Sequence, residues 1–238
     1  VVRFSNRLGQ SQVLHEALSR LKSSPAQPLD STQTRILDAE LLSMQHRGVA
    51  LRGEEQADFN RTSERLAALS TGFSNHVLDA TQNWSLVIHE RARLKGVPER
   101  AMEILASAAK EAGDQAADGS EPSAAEGPWR LGLDMPRYIP VITHAEDRSL
   151  RETLYKAQVS RASSGDLDNA PLIEEILQLR REQAARLGYA NWAELSLASK
   201  MAEDVSAVES LLEELRASAM PVAPVSYTHL RAHETKRN

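Results

Sequence analysis

The sequence predicts a mainly α protein with room for one short β-hairpin. Three observations point there. Ala, Leu, Glu, Arg and Gln dominate, whereas Phe, Trp and Tyr together make up 4% of the chain, and that vocabulary favours helices. Apolar residues recur at three- and four-residue steps through most of the chain, the spacing of one helical face. Cap residues, Pro and Gly stand where those runs begin and stop.

Taken in order, Leu8 to Leu21 reads as a short amphipathic helix, with Leu14, Leu18 and Leu21 on one face. Pro25 and Pro28 break it. Ser31 or Thr32 opens a second helix faced by Ile36, Leu37, Leu41 and Leu42. Gly48 and Gly53 bracket a break. Glu54 and Glu55 then suit the positive end of a long helix reaching about Thr81, with Phe59, Leu66, Phe73, Val77 and Ala80 as its stripe. Trp84 to Ile88 fits a strand or a helix end. Pro98 opens a helix to about Ala112. Residues 113–127 carry no apolar period and read as a mobile surface loop. Trp129, Leu131 and Leu133 alternate as a strand does, and this segment is a candidate partner for the Trp84 region. Pro136 and Pro140 punctuate the stretch between that strand and Asp147.

The signals sharpen after Asp147. Leu150, Leu154 and Ala157 share a face, and Ser163 to Asp168 is a turn. Asn169 is placed to cap the next helix, with Pro171 in its first turn. Ile173, Ile176, Leu177, Ala184 and Leu187 supply its inner face, Glu182 and Arg186 a four-residue ion pair, and Gly188 its end. Asn191 with Glu194, and Ser206 with Glu209, have capping-box spacing. Val205, Val208, Leu211, Leu212 and Leu215 form a last apolar stripe.

Composition narrows the function classes. A chain of 238 residues, 41% of them hydrophobic, buries a real core. The formal charge of -5 argues against a nucleic-acid surface, which needs a basic stripe to displace counterions. With no Cys, disulfide stapling is excluded and a reducing compartment is compatible. No apolar run approaches the ~20 residues of a membrane span. The chain opens on Val1 with no basic-then-apolar signal segment, so the N-terminus reads as cut and any targeting peptide as lost with it. Cytoplasm, plastid and mitochondrion all fit as locations.

Several segments look familiar in combination. They are Phe73-Ser-Asn-His-Val-Leu-Asp-Ala-Thr81, Leu133-Asp-Met-Pro-Arg-Tyr-Ile-Pro-Val-Ile142, Leu150-Arg-Glu-Thr-Leu-Tyr155, Ser160-Arg-Ala-Ser163, the pair Asp168-Asn169, Leu187-Gly-Tyr-Ala-Asn191 and Lys200-Met-Ala202. In order and spacing the chain resembles the thimet oligopeptidase and oligopeptidase A family of zinc metallopeptidases, from about Ile36 to Met220. The run SRASSGDLDN is most similar to the plant and algal organellar branch. The resemblance implies a mostly helical, neurolysin-like fold whose two lobes flank a deep narrow channel that admits short peptides. It also implies a zinc ion on an H-E-x-x-H helix, with a further Glu completing the site. Four-residue spacing puts both imidazoles of such a helix on one face, and the Glu between them polarises the metal-bound water. That motif is absent from this sequence. No catalytic, cofactor-binding or metal-ligating residue is therefore carried over, and the one zinc ion is expected in a longer parent rather than here. The resemblance divides the chain into an N-terminal helical region (1–145), the start of the peptidase region (146–223) and a non-native end (224–238).

The last assignment rests on the tail. His229 and His233 lie four apart with Glu234 following, which satisfies helical zinc spacing. The order is wrong, because Leu230 follows His229 and Arg237 stands where a second His should follow His233. Val225 to Thr235 matches the translation of a common transposase-type sequencing adapter, so the natural sequence is expected to end near Ala223. Elsewhere the blander reading is preferred. His15, His46, His76, His89 and His144 are too dispersed for a metal site. The Glu pairs at 54–55, 174–175 and 213–214 point apart on helices and read as solvated faces. Ser19-Arg-Leu-Lys22 fits S-x-x-K without its companion motifs. The sequons at Asn60 and Asn83 fall in or beside helix. Tyr189 and Trp192 read as packing for a helix corner rather than as substrate contacts.

Two functional readings are compatible with these residues. One is a piece of a zinc-dependent metalloendopeptidase acting on short peptides, the piece itself lacking the zinc site and inactive. The other is a non-catalytic helical module that binds peptides or a protein partner, which the residues alone favour because they hold no catalytic constellation.

Overall fold

The computed structural model describes residues 2–116 and 118–224. Among them are ten α-helices and one pair of short strands, so the chain is mainly α. The chain forms two compact units. One contains the residues up to Ala67 together with those from Leu177 onward, and the other is Ala68–Ile176.

The first unit begins with α1 (Val2–Gly9), α2 (Gln12–Ser23) and α3 (Ser31–His46). Ser11 ends α1 and starts α2, accepting the Leu14 amide at 3.4 Å. Asp30 starts α3 with a full capping box, accepting the Gln33 amide at 2.8 Å while Gln33 Oε1 accepts the Asp30 amide at 3.1 Å. Gly48 then turns the chain with φ +78°, where a Cβ would lie 2.9 Å from Leu51 and 3.3 Å from Phe59. The α4 helix (Gly53–Asn83) comes next and runs on into the second unit. Leu37, Met44, Val49, Phe59, Ala184 and Leu195 are buried here. Polar contacts tie α1 to α4: Asn60 Oδ1 accepts from Asn6 at 3.1 Å and from Gln10 at 2.8 Å. The later part of α8 (Ala170–Arg186), α9 (Trp192–Leu197) and α10 (Val205–Ala219) complete the unit.

The second unit is built around β1 (Ser85–Ile88) and β2 (Trp129–Gly132), an antiparallel pair in the register Ser85↔Gly132 to Ile88↔Trp129. They are joined not by a tight turn but through a 3-10 turn at Arg91–Leu94, the helix α5 (Glu99–Glu111) and the 113–127 loop. That loop carries its own closure, Ser123 and Gly127 exchanging backbone hydrogen bonds of 3.0 and 2.8 Å. Alternation sends Trp129, Leu131 and Leu133 inward, each at most 1% exposed. They pack with Met102, Leu105 and Ala106 of α5, Tyr138 and Val141 of α6 (Met135–His144), and Leu150 and Leu154 of α7 (Arg148–Val159). Asp147 caps α7, accepting the Leu150 amide at 3.1 Å and the Ser149 hydroxyl at 2.6 Å, and it also pairs with Arg93 at 3.0 Å.

Several sequence expectations are corrected. The first predicted helix is two helices, because Ser11 interrupts Leu8 to Leu21; Leu14 and Leu21 are exposed. On α3 the inward residues are Leu37 and Met44, while Ile36 is exposed. On α4, Leu69 is buried and Phe73 is not. Pro136 and Pro140 do not interrupt the chain but lie inside α6, Pro136 in the first turn where no amide is required. Ile173 and Leu177 of α8 are exposed, and Gln183 is buried instead. Glu182 takes a hydrogen bond from Gln178 and Arg186 donates to Thr62, in place of the expected ion pair. Asp204 rather than Ser206 caps α10. The expected stripe of α10 has no buried member, with Leu211, Leu212 and Leu215 more than half exposed. Asn169 holds the cap position in the backbone, since its carbonyl accepts the Ile173 amide at 2.9 Å, but its side chain points elsewhere.

Three substitutions test this architecture. Gly96 has φ +91°, and a Cβ there would sit 2.3 Å from the His144 carbonyl oxygen. Gly96→Ala should therefore cost at least ~2 kcal/mol in urea unfolding. Gly113→Ala, at φ +79° with nothing within 4 Å, should cost about 1 kcal/mol for the left-handed backbone alone. Hydrogen bonds from Ser149, Leu150 and Arg93 lower the Asp147 carboxyl to about 2. Because the folded value lies below the unfolded one, Asp147 stabilises above pH ~4 and that stabilisation fades as pH falls toward 2. Asp147→Ala should lose stability at pH 6 and converge on the parent protein near pH 2, measured by thermal unfolding across that range.

Candidate functional site

The side chains singled out in the sequence scatter. His89 and His144 are exposed, while His15 and His76 are half-buried on separate helices. His46 Nε2 meets the Tyr189 hydroxyl at 2.8 Å, their rings edge-on with centroids 5.5 Å apart, and burial pushes the imidazole pKa below its ordinary value. Trp192 lies under the Arg180 guanidinium at 5.1 Å, a cation–π contact. Tyr189 and Trp192 thus pack the corner after Gly188. Glu54, Glu55, Glu174, Glu213 and Glu214 are exposed. Lys22 pairs with Asp38 at 2.5 Å rather than with Ser19. Asn60 is engaged with Asn6 and Gln10. His229, His233 and Glu234 lie outside the described residues. Among the described residues no group of three or more His, Cys, Asp or Glu could hold a metal ion.

Several of the segments that carried the resemblance come together within the Ala68–Ile176 unit, while Leu187–Asn191 and Lys200–Ala202 lie in the other unit. Arg161 Nη1 donates to Thr81 Oγ1 at 2.8 Å and its Nε to the Gln158 carbonyl at 3.0 Å. With its amide turned about, so that nitrogen faces Leu133, the Gln158 side chain accepts from Arg161 Nη2 at 3.1 Å and donates to the Leu133 carbonyl at 3.3 Å. Asn169, 3% exposed, donates through Nδ2 to the Phe73 carbonyl at 3.2 Å, and its amide donates to Ala162, which turns the chain at φ +50°. One polar joint therefore links α4, the α7–α8 connection and the end of β2.

The same unit carries an open cleft of about 600 Å³ between α5, the strands and the start of α6. Two arginines line it in different ways. Arg130 is committed: Nε and Nη2 grip Asp114 at 2.7 and 2.6 Å, and Nη1 donates to Ser85 at 2.6 Å. These bonds hold the Asp114 carboxyl below its usual range and raise Arg130. Among the described residues Arg137 donates through Nε alone, to Asp134, and its guanidinium lies over Gly132, where a Cβ would be 2.4 Å from Cζ. On the facing helix Glu111 is exposed, with the Ser107 hydroxyl 3.5 Å away. Sequence reasoning gave none of these five charged residues a site role. The available signal was Gly132, because a glycine in a strand pattern marks a close approach.

Comparison with known proteins places these segments. The N-terminal domain model of neurolysin and thimet oligopeptidase matches residues 1–56, and the model of peptidase family M3 matches residues 141–238. The chain is 41% identical to a probable cytosolic oligopeptidase A of Arabidopsis thaliana over 92% of its own length. It is also 41% identical to the organellar, chloroplastic/mitochondrial oligopeptidase A of that plant over 93%, and 35% identical to oligopeptidase A of Escherichia coli over 96%.

The chain belongs to peptidase family M3.

It spans 30%, 27% and 33% of the length of those three relatives. For this M3 chain the joint around Asn169 is therefore made by residues from both sides of the start of the matched peptidase segment: Phe73 and Thr81 before it, Arg161 and Asn169 within it. Asn169→Ala should strip Phe73 of a buried partner and cost about 1–3 kcal/mol in chemical denaturation. Thr81→Val, which removes a half-buried hydroxyl partner of Arg161, should cost less.

Proposed function

We propose that this chain is part of an oligopeptidase A-like, zinc-dependent endopeptidase that hydrolyses short peptides, and that it supplies scaffold rather than the metal site. The reading is carried by identity of 35–41% to proteins named oligopeptidase A over more than nine-tenths of the chain. It is also supported by membership of an M3 peptidase family. The described residues do not fit a zinc ion, since no three suitable donors converge. No catalytic step is assigned to any of them, and the chain by itself is inactive in this reading. Residues 1–145 are the N-terminal helical region, 146–223 begin the catalytic region, and 224–238 are adapter-derived. The compartment is cytoplasm or organelle, as in the two plant relatives. Short peptides are the partners, and nucleic acid is disfavoured by the charge of -5. No described helix is long and apolar enough to cross a membrane.

The test begins with the source gene read past Ala223. An H-E-x-x-H segment downstream supports the peptidase, and a stop codon soon after supports the peptide- or protein-binding module. The complete protein should cleave an internally quenched peptide and stop when zinc is chelated. The 238-residue chain assayed beside it should neither cleave nor retain zinc. Cleavage by the isolated chain with one zinc per molecule overturns the proposal.

A further inference from the structure

We propose that the cleft beside Arg137 is a binding site for short free peptides, with the peptide carboxylate on Arg137 and its ammonium group on Glu111. The choice of a peptide as ligand rests on the function proposed above; the site itself rests on the geometry of the Ala68–Ile176 unit.

Arg137 is an anchored cation. Asp134 takes Nε, not the Nη1/Nη2 edge. Carboxylates meet that edge with two parallel hydrogen bonds. The guanidinium cannot drop toward the strand, because it already rests on Gly132. It is half-buried, with 23% side-chain exposure, so little side-chain entropy remains to be lost when a ligand binds. Arg130, by contrast, is fully occupied by Asp114 and Ser85 and offers no comparable edge.

The rest of the lining completes the complement. Arg130 with Asp114 and Arg137 with Asp134 are each close to neutral as pairs. A bare anion placed there would face Glu111 uncompensated, which disfavours simple anions. A zwitterion satisfies both ends. The α5 side of the cleft also presents Ile104 and Ala108, with Ala112 just past the helix end, at four-residue spacing, an apolar lining for a short backbone. The volume of about 600 Å³ lies within the range of small-molecule sites. Recognition of both charged termini also separates free peptides from chain segments inside folded proteins, which carry neither charge.

The experiment titrates the ¹⁵N-labelled 238-residue chain with tetra-alanine, its N-acetyl form, its C-terminal amide and the doubly blocked peptide, following amide shifts. The free peptide should bind at millimolar concentration and shift residues of α5 and the start of α6. Blocking either end should weaken binding about tenfold. Arg137→Gln should abolish the response to amidation while keeping the response to acetylation, and Glu111→Gln should do the reverse. Glu111 is exposed and Arg137 half-buried, and an unchanged spectrum without peptide verifies the fold of each variant. Equal binding of all four peptides, no binding of any, or variants that respond like the parent chain would overturn the site. A complete protein that cleaves peptides while this cleft ignores their termini defeats the site alone. A chain that binds free termini within a complete protein that cleaves nothing defeats the peptidase reading alone.

Discussion

Burial of Trp129, Leu131 and Leu133 is the constraint on which the Ala68–Ile176 unit depends. Two four-residue strands are marginal alone in water. They persist here because every inward residue of β2 is covered by α5, α6 or α7. That single apolar face fixes the positions of three helices at once. It also fixes the outward residue between them: with Trp129 and Leu131 inward, Arg130 must project to the opposite side, where it finds Asp114 and Ser85. The cleft is the reverse face of the core.

Polar locks then set details that apolar packing leaves loose. Hydrophobic contact is non-directional, whereas Arg161 on Thr81 and Asn169 on Phe73 are directional and partly buried. They join residues 80 and 96 positions apart in the chain. Losing such partners leaves buried donors unsatisfied, a larger loss than the bond itself contributes. The four residues that make these locks all lie in segments that carry the family resemblance.

Sustained periodicity was the most legible part of the sequence. The long helix expected from Glu54 to about Thr81 is α4, Gly53–Asn83, because its pattern persists for many turns. The strand pair was legible from alternation at Trp129. Other elements were hidden for specific reasons. Pro136 and Pro140 masked α6, since proline is tolerated in a first turn and a short helix survives one lost bond. Leu172, Ile173, Ile176, Leu177 and Leu179 form one broad apolar face on α8, of which Ile173 and Leu177 stay exposed, so the apolar pattern alone does not choose the buried residues. Asn169 has the right type and place for a cap, and only the neighbouring α4 carbonyl redirects its side chain. Of the cleft only Gly132 gave a signal, because Arg137 and Glu111 are 26 positions apart and ordinary surface residues by type.

The contact between Gly132 and Arg137 reaches beyond this one molecule. A guanidinium resting on a bare Cα makes the two identities interdependent: a side chain at 132 evicts the arginine, and a short residue at 137 frees 132 to vary. Drift at either position is thus conditional on the other. Among descendants of this chain the pair should travel as a unit, glycine with a long cation or a substituted 132 with something small. The cleft would then be inherited or lost in a single correlated step rather than eroded residue by residue.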